Sequence, residues 1–162
     1  MEIKYQSAVL FVREMHRSRS FYEGLLGQLV VMDHGPNVAF ANGLALWQAD
    51  RASEIVYGSR EHEGSPLGRR NLELYFETDS LDAAWDRLQV ANVPVVHSIR
   101  EQPWGQRVFR VHDPDGHVVE IGEPMQAVIT RLLQQGMTSN AVAERTSMPL
   151  DIVRQVIEES TE

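Results

Sequence analysis

Residues 103–123 read PWGQRVFRVHDPDGHVVEIGE, and this stretch decides the fold. Two runs with the alternation of β-strands, 107–111 and 117–121, flank the tetrapeptide DPDG at 113–116. Proline holds φ at about −65°, aspartate side chains hydrogen-bond the local backbone, and glycine accepts the positive φ that closes a hairpin. The pattern therefore predicts two antiparallel strands joined by a tight turn.

Glu120 lies in the second of these strands, between the apolar residues Val119 and Ile121. A carboxylate inside an apolar strand is costly unless it is paired, protonated, bound to a metal or facing a wet cavity. Arg107 and Arg110 on the preceding strand are candidates for a structural ion pair with it across the hairpin. Without a partner, Glu120 suits proton transfer or recognition of a cationic ligand. The sequence leaves both interpretations open.

The hairpin ends a pattern that occurs twice in the chain. Residues from about 5 to 49 carry signals for a strand, a helix and three strands, and residues from about 71 to 123 repeat that order. Asn42-Gly43 in the first copy corresponds to Asp115-Gly116 in the second. We predict an α+β fold in which two βαβββ repeats form a cupped mixed β-sheet, because neither copy buries its sheet face alone. The polar segment 50–70 is predicted to be a linker or a loop over the mouth of the cup.

The character of the chain changes after residue 124. Apolar spacing, Gly136 and Pro149 predict three short helices in residues 125–162, and their spacing resembles a helix-turn-helix unit. Three arginines oppose five acidic residues there, a net charge of −2, whereas DNA binding requires positive charge. We therefore predict a domain at 1–124 and a helical appendage at 125–162 that packs on the cup, closes a ligand site or mediates self-association.

Residues 104–123 resemble the last hairpin of the vicinal oxygen chelate superfamily, which groups glyoxalases, bleomycin-resistance proteins, fosfomycin-resistance enzymes and extradiol dioxygenases. The segment AVLFVREMHRSRSFYEGLLG at 8–27, where a strand leads into a short helix, supports the resemblance. It covers roughly residues 5–124. It implies a glyoxalase/bleomycin-resistance-like domain whose cup is completed in a homodimer.

The resemblance also implies a metal site built from one side chain on each of four strands. The corresponding positions in this chain are Ser7, Trp47 with Gln48 beside it, Leu72 or Asn71, and Glu120. Ser, Leu and Trp do not supply the imidazole or carboxylate ligands that divalent ions need. We therefore predict no family metal site, with Glu120 as the one surviving ligand position, and no cofactor. A divalent metal is expected only if the protein is an enzyme.

Aromatic residues follow the predicted sheets in both repeats. Most are expected in the core, but the inner face of a cup is lined by such rings, and Trp47 and Trp104 come from corresponding halves of the repeat. Rings beside a few polar groups form a site for a planar or amphipathic molecule. The predicted ligand-binding residues are Trp47, Gln48, Trp104, Arg107 and Glu120; the alternative is that both tryptophans only pack.

Composition excludes several classes of function. The 162-residue chain has no cysteine, so a disulfide framework, a thiol nucleophile and a Cys-based zinc site are excluded. A net charge of −8 opposes binding to nucleic acid or anionic membranes. No apolar run is long enough to span a membrane and residues 1–5 are no signal peptide, so we expect a cytoplasmic protein. The histidines lack ligand-pair spacing; His112 and His117 are predicted to flank a solvated turn.

These observations favour a protein that binds a small aromatic or amphipathic molecule in the cup, without the family metal. The first alternative is a metal-dependent lyase, isomerase or dioxygenase of the same superfamily, in which Glu120 is catalytic. The second alternative is a ligand-responsive transcriptional regulator that reads DNA through the C-terminal unit.

Overall fold

The computed structural model describes residues 2–60 and 67–159 and confirms the α+β class, with two βαβββ repeats followed by three helices. One compact unit comprises residues up to Leu72 together with His112–His117, and the other comprises Glu73–Val111 and the chain from Val118 onward. In chain order the elements are β1 (Ala8–Val12), α1 (Met15–Arg19) with a π-helical continuation (Ser20–Leu25), β2 (Val30–Asp33), β3 (Asn37–Phe40), β4 (Leu44–Gln48), α2 (Ala49–Tyr57), β5 (Glu73–Glu77), α3 (Leu81–Val90), β6 (Val95–Glu101), β7 (Arg107–His112), β8 (Val118–Gly122), α4 (Met125–Gln134), α5 (Ser139–Thr146) and α6 (Leu150–Glu159).

The first repeat forms a four-stranded mixed sheet in the order β1-β4-β3-β2. β1 runs parallel to β4, and β3 pairs antiparallel with both β4 and β2. Helix α1 and its continuation cover one face of this sheet, where Tyr22 is fully buried and its ring centroid lies 6.2 Å from that of Phe40. The apolar residues of the buried face are Leu10, Val12, Val38, Phe40 and Leu46.

The second repeat forms a four-stranded mixed sheet in the order β5-β8-β7-β6. β5 and β8 are parallel, with Tyr75 opposite Glu120, and β6 and β7 are antiparallel. Helix α3 packs on the face that carries Phe109, whose ring centroid lies 5.2 Å from that of Trp85. Because side chains alternate along a strand, Val108 and Arg110 lie on the opposite face.

Helix α2 lies within the segment predicted as a linker or loop. It begins directly after β4 and buries Ala49, Ala52 and Ser53, which pack with the first unit, and it ends at Gly58 with φ of 72°. The sequence analysis missed this helix because its buried stripe consists of only a few small residues. Among the charged residues of 50–60 such a stripe gives no clear helical period. Residues 61–66 of the predicted linker lie outside the described residues.

Asp113 anchors the hairpin turn. As predicted, its side chain bonds the local backbone: Oδ1 accepts the N–H of Asp115 at 3.0 Å and that of His117 at 2.8 Å. Its Oδ2 accepts the hydroxyl of Tyr22 at 2.8 Å and lies 2.9 Å from His117 Nδ1. The predicted solvated turn is wrong for His117, which is 6% exposed because its ring turns back onto the buried carboxylate.

Asp115 fastens the same turn to the start of α1. Its carboxylate accepts the backbone N–H of Arg13 at 3.2 Å and the hydroxyl of Ser18 at 3.4 Å. Burial raises the pKa of Asp115 above its usual value. The turn is therefore a docking point of the hairpin within the first unit, beyond its local role in reversing the chain.

The pKa of Asp113 predicts how stability depends on pH. Burial pushes this pKa upward, but the hydrogen bond with His117, the attraction to His117 and the Tyr22 hydroxyl outweigh it, and the pKa lies below its usual value. The ionised carboxylate therefore stabilises the fold at pH values above its unfolded pKa, and the contribution disappears as pH falls through the folded pKa. We expect the difference in unfolding free energy between the wild type and Asp113→Asn to be largest near pH 7 and to shrink steadily toward pH 3. Urea unfolding at a series of pH values measures it; a difference that stays constant or grows on acidification contradicts the assignment.

The three C-terminal helices pack around a small core of their own. It contains Val128, Ile129, Leu132, Val142, Val153 and Val156. The Thr138 hydroxyl caps α5 by accepting the N–H of Ala141, and Ser147 ends that helix in the left-handed conformation. Three helices are confirmed; the helix-turn-helix resemblance stays a prediction. Among the described residues, no helix has the length and apolar character needed to cross a bilayer.

Candidate functional site

The face of the second sheet opposite α3 carries a group of polar side chains, which we call the polar face. Glu120 is 5% exposed and forms an ion pair with Arg110 on the neighbouring strand. The Arg110 guanidinium also donates from Nε to Glu73 at 2.6 Å. The members of the polar face are Glu73, Tyr75, Glu77, His97, Arg100, Gln106, Arg110 and Glu120. Of the two interpretations left open by the sequence, the structure shows the ion pair, and it selects Arg110.

His97 completes the surroundings of Arg110. Arg110 Nη1 donates to His97 Nε2 at 3.0 Å, and His97 Nδ1 lies 2.8 Å from the carbonyl oxygen of Ser98. A guanidinium only donates, so Nε2 must accept and the ring proton must be on Nδ1. Arg110 therefore lies between the carboxylates of Glu73 and Glu120 and the imidazole of His97, in hydrogen-bonding or ion-pair contact with all three.

A second chain of hydrogen bonds lies on the same face. Trp104 Nε1 donates to Gln106 Oε1 at 2.9 Å, and Gln106 Nε2 donates to the Tyr75 hydroxyl at 2.6 Å and to the Glu123 carbonyl at 2.7 Å. Tyr75 in turn donates to Glu77 at 2.8 Å. Gln106 is buried, whereas the Trp104 ring is 37% exposed. The network holds one partly exposed ring in a defined orientation.

The Tyr75 hydroxyl and the glycine at 122 both contribute to this network. Partial burial, followed by the hydrogen bond to Glu77, raises the pKa of Tyr75 to about 12, so its hydroxyl keeps its proton at neutral pH. A Cβ at Gly122 would lie 2.9 Å from Gln106 Nε2 and 3.1 Å from Val108 Cγ1. Glycine at 122 therefore makes room for the Gln106 amide between the strands.

Arg107 does not lie with Glu120. It is on the α3 side of the sheet, where its Nη2 donates to Asp82 at 2.8 Å and its Nη1 lies 3.5 Å from Glu123. Alternation along β7 explains the difference, since Arg107 and Arg110 are three residues apart and so point to opposite faces. The structure brings Glu120 together with Arg110, and it places Trp104 on the Gln106 network.

Trp47 and Gln48 belong to the first sheet. The Trp47 ring packs edge to face on Phe11, with centroids 6.1 Å apart, on the face opposite α1. Trp47 is half-buried, while Gln48 follows it with the opposite orientation and immediately precedes α2. The first sheet thus carries an aromatic pair of its own.

The residues at the family's metal positions do not fit a metal ion. Ser7 is exposed and precedes β1, Trp47 packs on Phe11, and Leu72 has no ligating atom. Of the alternative positions, Gln48 points to the opposite face of β4 from Trp47, and Asn71 is exposed before β5. Glu120 is engaged by the Arg110 guanidinium, which would lie beside any bound cation. Within 2–60 and 67–159, three or more His, Asp or Glu side chains nowhere converge in a way that could hold a metal.

Sequence reasoning missed Gln106 and Tyr75 as site residues, and it named Arg110 only as one of two possible ion-pair partners of Glu120. Tyr75 was assigned to the core with the other aromatics, and Gln106 lies in a turn with no recognisable motif. Alternation places Arg107 and Arg110 on opposite faces, but which of them meets Glu120 depends on the register of the hairpin. The role of Gln106 depends on contacts with three separate segments, which no local pattern contains.

Comparison with known proteins identifies relatives of this chain. The family model described as a glyoxalase-like domain matches residues 5–126. Uncharacterized proteins from Mycobacterium bovis and Mycobacterium tuberculosis (strain H37Rv) are each 28% identical over 98 residues, which is 60% of this chain. The matched region spans 64% and 57% of the length of those two proteins, respectively, which is less than two thirds of each.

Solved structures share the fold. A protein of unknown function from Agrobacterium tumefaciens strain C58 is 38% identical, with a TM-score of 0.70, covering 76% of this chain and 96% of that chain. A lactoylglutathione lyase from Agrobacterium tumefaciens is 22% identical (TM-score 0.58; 77% of this chain and 96% of that chain). A glyoxalase/bleomycin resistance protein/dioxygenase from Nocardioides is 21% identical (TM-score 0.59; 76% and 84%). At these lower identities the likeness shows the fold alone.

Proposed function

Because this chain belongs to the glyoxalase-like domain family of the vicinal oxygen chelate superfamily, we propose that it binds a small aromatic or amphipathic molecule without the family's metal. One observation carries the proposal. Glu120, the one metal-ligand position that retains a ligating side chain, is ion-paired with Arg110, and the partly exposed Trp104 ring lies on the same face of the sheet. This arrangement supports recognition of an organic ligand over metal chemistry.

Each group on the polar face has a role in binding. The Trp104 ring offers a surface for stacking, and its bond to Gln106 reduces the conformational entropy lost when a ligand packs on it. Tyr75 and Gln106 offer hydrogen-bonding groups beside the ring. On the first sheet, the Phe11–Trp47 pair supplies a separate aromatic surface.

The charge of the polar face predicts which aromatic molecules bind. The carboxylates of Glu73, Glu77 and Glu120 lie on this face with two guanidinium groups, that of Arg110 and that of Arg100, which pairs with Val108. Their sum is a net negative charge of one. A planar cation is therefore favoured over a planar anion of similar size, by an amount that decreases with added salt.

Dye binding tests the proposal. We expect the cationic dye rhodamine 6G to bind the wild type more tightly than the anionic dye anilinonaphthalene sulfonate, and Trp104→Ala to weaken rhodamine binding about tenfold. Fluorescence polarisation measures both. Tyr57→Ala, which removes a 69% exposed ring on α2, is the matched control and should bind as the wild type does. Absence of binding to either dye, or an equal loss in both variants, contradicts the proposal.

Metal analysis separates binding from the enzymatic alternative. Protein purified without an affinity tag is analysed for metal and titrated with nickel, zinc, manganese and iron(II). We expect substoichiometric metal and no saturable titration. Stoichiometric metal that is lost in Glu120→Ala would overturn the proposal in favour of a metal-dependent lyase or dioxygenase. The homodimer that the family resemblance implies also stays a proposal, which light scattering in solution checks.

A further inference from the structure

The C-terminal helices meet the sheet at the loop that carries Trp104. Gly105 has φ of 87°, and a Cβ there would lie 3.2 Å from Leu132 Cδ1 and 3.6 Å from Val128 Cγ1. Glycine thus lets the loop backbone lie directly against α4. Gly105 lies between Trp104 and Gln106. Its contact with α4 is therefore made within the segment whose hydrogen bonds orient the Trp104 ring.

Arg131 on α4 contacts the loop at Gly105 and two carboxylates beside it, those of Glu123 and Glu101. Its Nη2 donates to the Gly105 carbonyl at 2.7 Å and to Glu123 Oε2 at 2.8 Å, and its Nη1 lies 3.4 Å from Glu101 Oε2. Arg145 on α5 forms a second ion pair with Glu101. A planar guanidinium can bridge several acceptors in a fixed geometry, which a lysine cannot reproduce.

The loop itself is a tight unit. The N–H of Gln102 donates to the Gln106 carbonyl at 2.7 Å, and the N–H of Gly105 donates to the Gln102 carbonyl at 2.8 Å. These bonds connect the backbone of Gln102, Gly105 and Gln106, so the position of the Gly105 carbonyl is linked to the positions of the Trp104 ring and the Gln106 amide. Gln106 in turn reaches Tyr75 and the Glu123 carbonyl.

We infer that Arg131 is a positioning residue for ligand binding. Through its contacts with Gly105 and Glu101 it fixes the position of the loop that carries Trp104 and Gln106. Helices α4–α6, which we call the brace, hold Arg131 in place. This inference rests on the proposed function for its effect on affinity. The family match ends at residue 126, so almost all of the brace lies outside the matched domain. The helical unit then acts on the polar face without contacting the ligand.

Fluorine NMR of protein labelled with 5-fluorotryptophan tests the positioning without any ligand. The three tryptophan signals are assigned with Trp→Phe variants. In Arg131→Met we expect the Trp104 signal to shift or broaden while those of Trp47 and Trp85 stay in place. Arg131→Lys should shift it in the same direction by less, and Arg154→Met, at an exposed position on α6, should leave it unchanged. An unchanged Trp104 signal, or a shift of all three signals, overturns the inference.

A double-mutant cycle tests the effect on binding. With rhodamine 6G as the probe, Arg131→Met should weaken binding about 3- to 30-fold in the wild-type background and have no further effect in Trp104→Ala. Equal effects in both backgrounds indicate a general structural role and overturn the inference. Should Arg131→Met fail to fold, Glu101→Gln, which weakens the same tie from the sheet side, takes its place in both experiments. If the wild type binds no dye, the proposed function fails, and the NMR result alone then decides whether Arg131 positions the loop.

Discussion

Replacing Asp113 with alanine is expected to lower the free energy of unfolding by about 3 kcal/mol. The side chain is buried and accepts hydrogen bonds from the Tyr22 hydroxyl and from the backbone of Asp115 and His117. Its removal leaves these donors without a partner in a region that water does not reach. It also releases the His117 ring, which lies 2.9 Å from the lost carboxylate. Equilibrium unfolding in urea at pH 7 measures the loss.

Asp82→Ala is the matched control for this substitution. The Asp82 side chain is 73% exposed and its carboxylate pairs with Arg107 at the surface, where ion pairs contribute little to stability. We expect the control to unfold close to the wild-type midpoint. If the two alanine variants lose similar amounts of stability, the turn is not the anchor that its hydrogen bonds indicate.

Arg110→Met is expected to destabilise the protein by about 3–5 kcal/mol. Methionine keeps the aliphatic stem of the side chain and removes the guanidinium, which leaves the Glu120 carboxylate buried without this cation. The double variant Arg110→Met/Glu120→Leu should recover most of the loss, because it removes the buried charge as well as its partner. Urea unfolding of the single and double variants measures both effects.

Arg107→Met, on the same strand but the other face, is the control. Its side chain is 32% exposed, its partner Asp82 is largely in solvent, and its second partner Glu123 keeps an ion pair with Arg131, so we expect a much smaller loss than for Arg110→Met. Equal losses for the two arginine variants would show that Glu120 does not depend on Arg110. A double variant as unstable as Arg110→Met would show that the guanidinium stabilises the sheet by some contact other than Glu120.

Local signals were sufficient for most of the fold. The DPDG turn and the Asn42-Gly43 pair predicted two hairpins, and both Gly43 and Gly116 have the positive φ that these turns require. Period-2 alternation located the strands, and the stripe of Val128, Ile129 and Leu132 located α4. Helix α2 was missed because its stripe of small residues is too narrow to give a clear helical period, and the burial of His117 was missed because the turn packs against Tyr22 and Ser18, which are distant in sequence.

The candidate site likewise contains residues that the sequence predicted and residues that it did not. The sequence singled out Glu120 because a carboxylate in an apolar strand requires a partner wherever the strand lies. It did not choose between Arg107 and Arg110, because that choice depends on the register of the hairpin, which the turn pattern left open. It also gave no indication of Gln106, whose amide reaches Trp104, Tyr75 and Glu123 on three separate segments.

The amino-acid sequence by itself determined the two βαβββ repeats, the hairpin turns and the need to compensate Glu120, because these follow from backbone geometry and the cost of burying a charge. The tertiary structure alone decided that Arg110 compensates Glu120, that Asp113 receives the Tyr22 hydroxyl, and that Arg131 reaches the Gly105 carbonyl. Each of these contacts joins residues on different elements. Their existence depends on how packed elements place the ends of long side chains, which short-range periodicity does not encode.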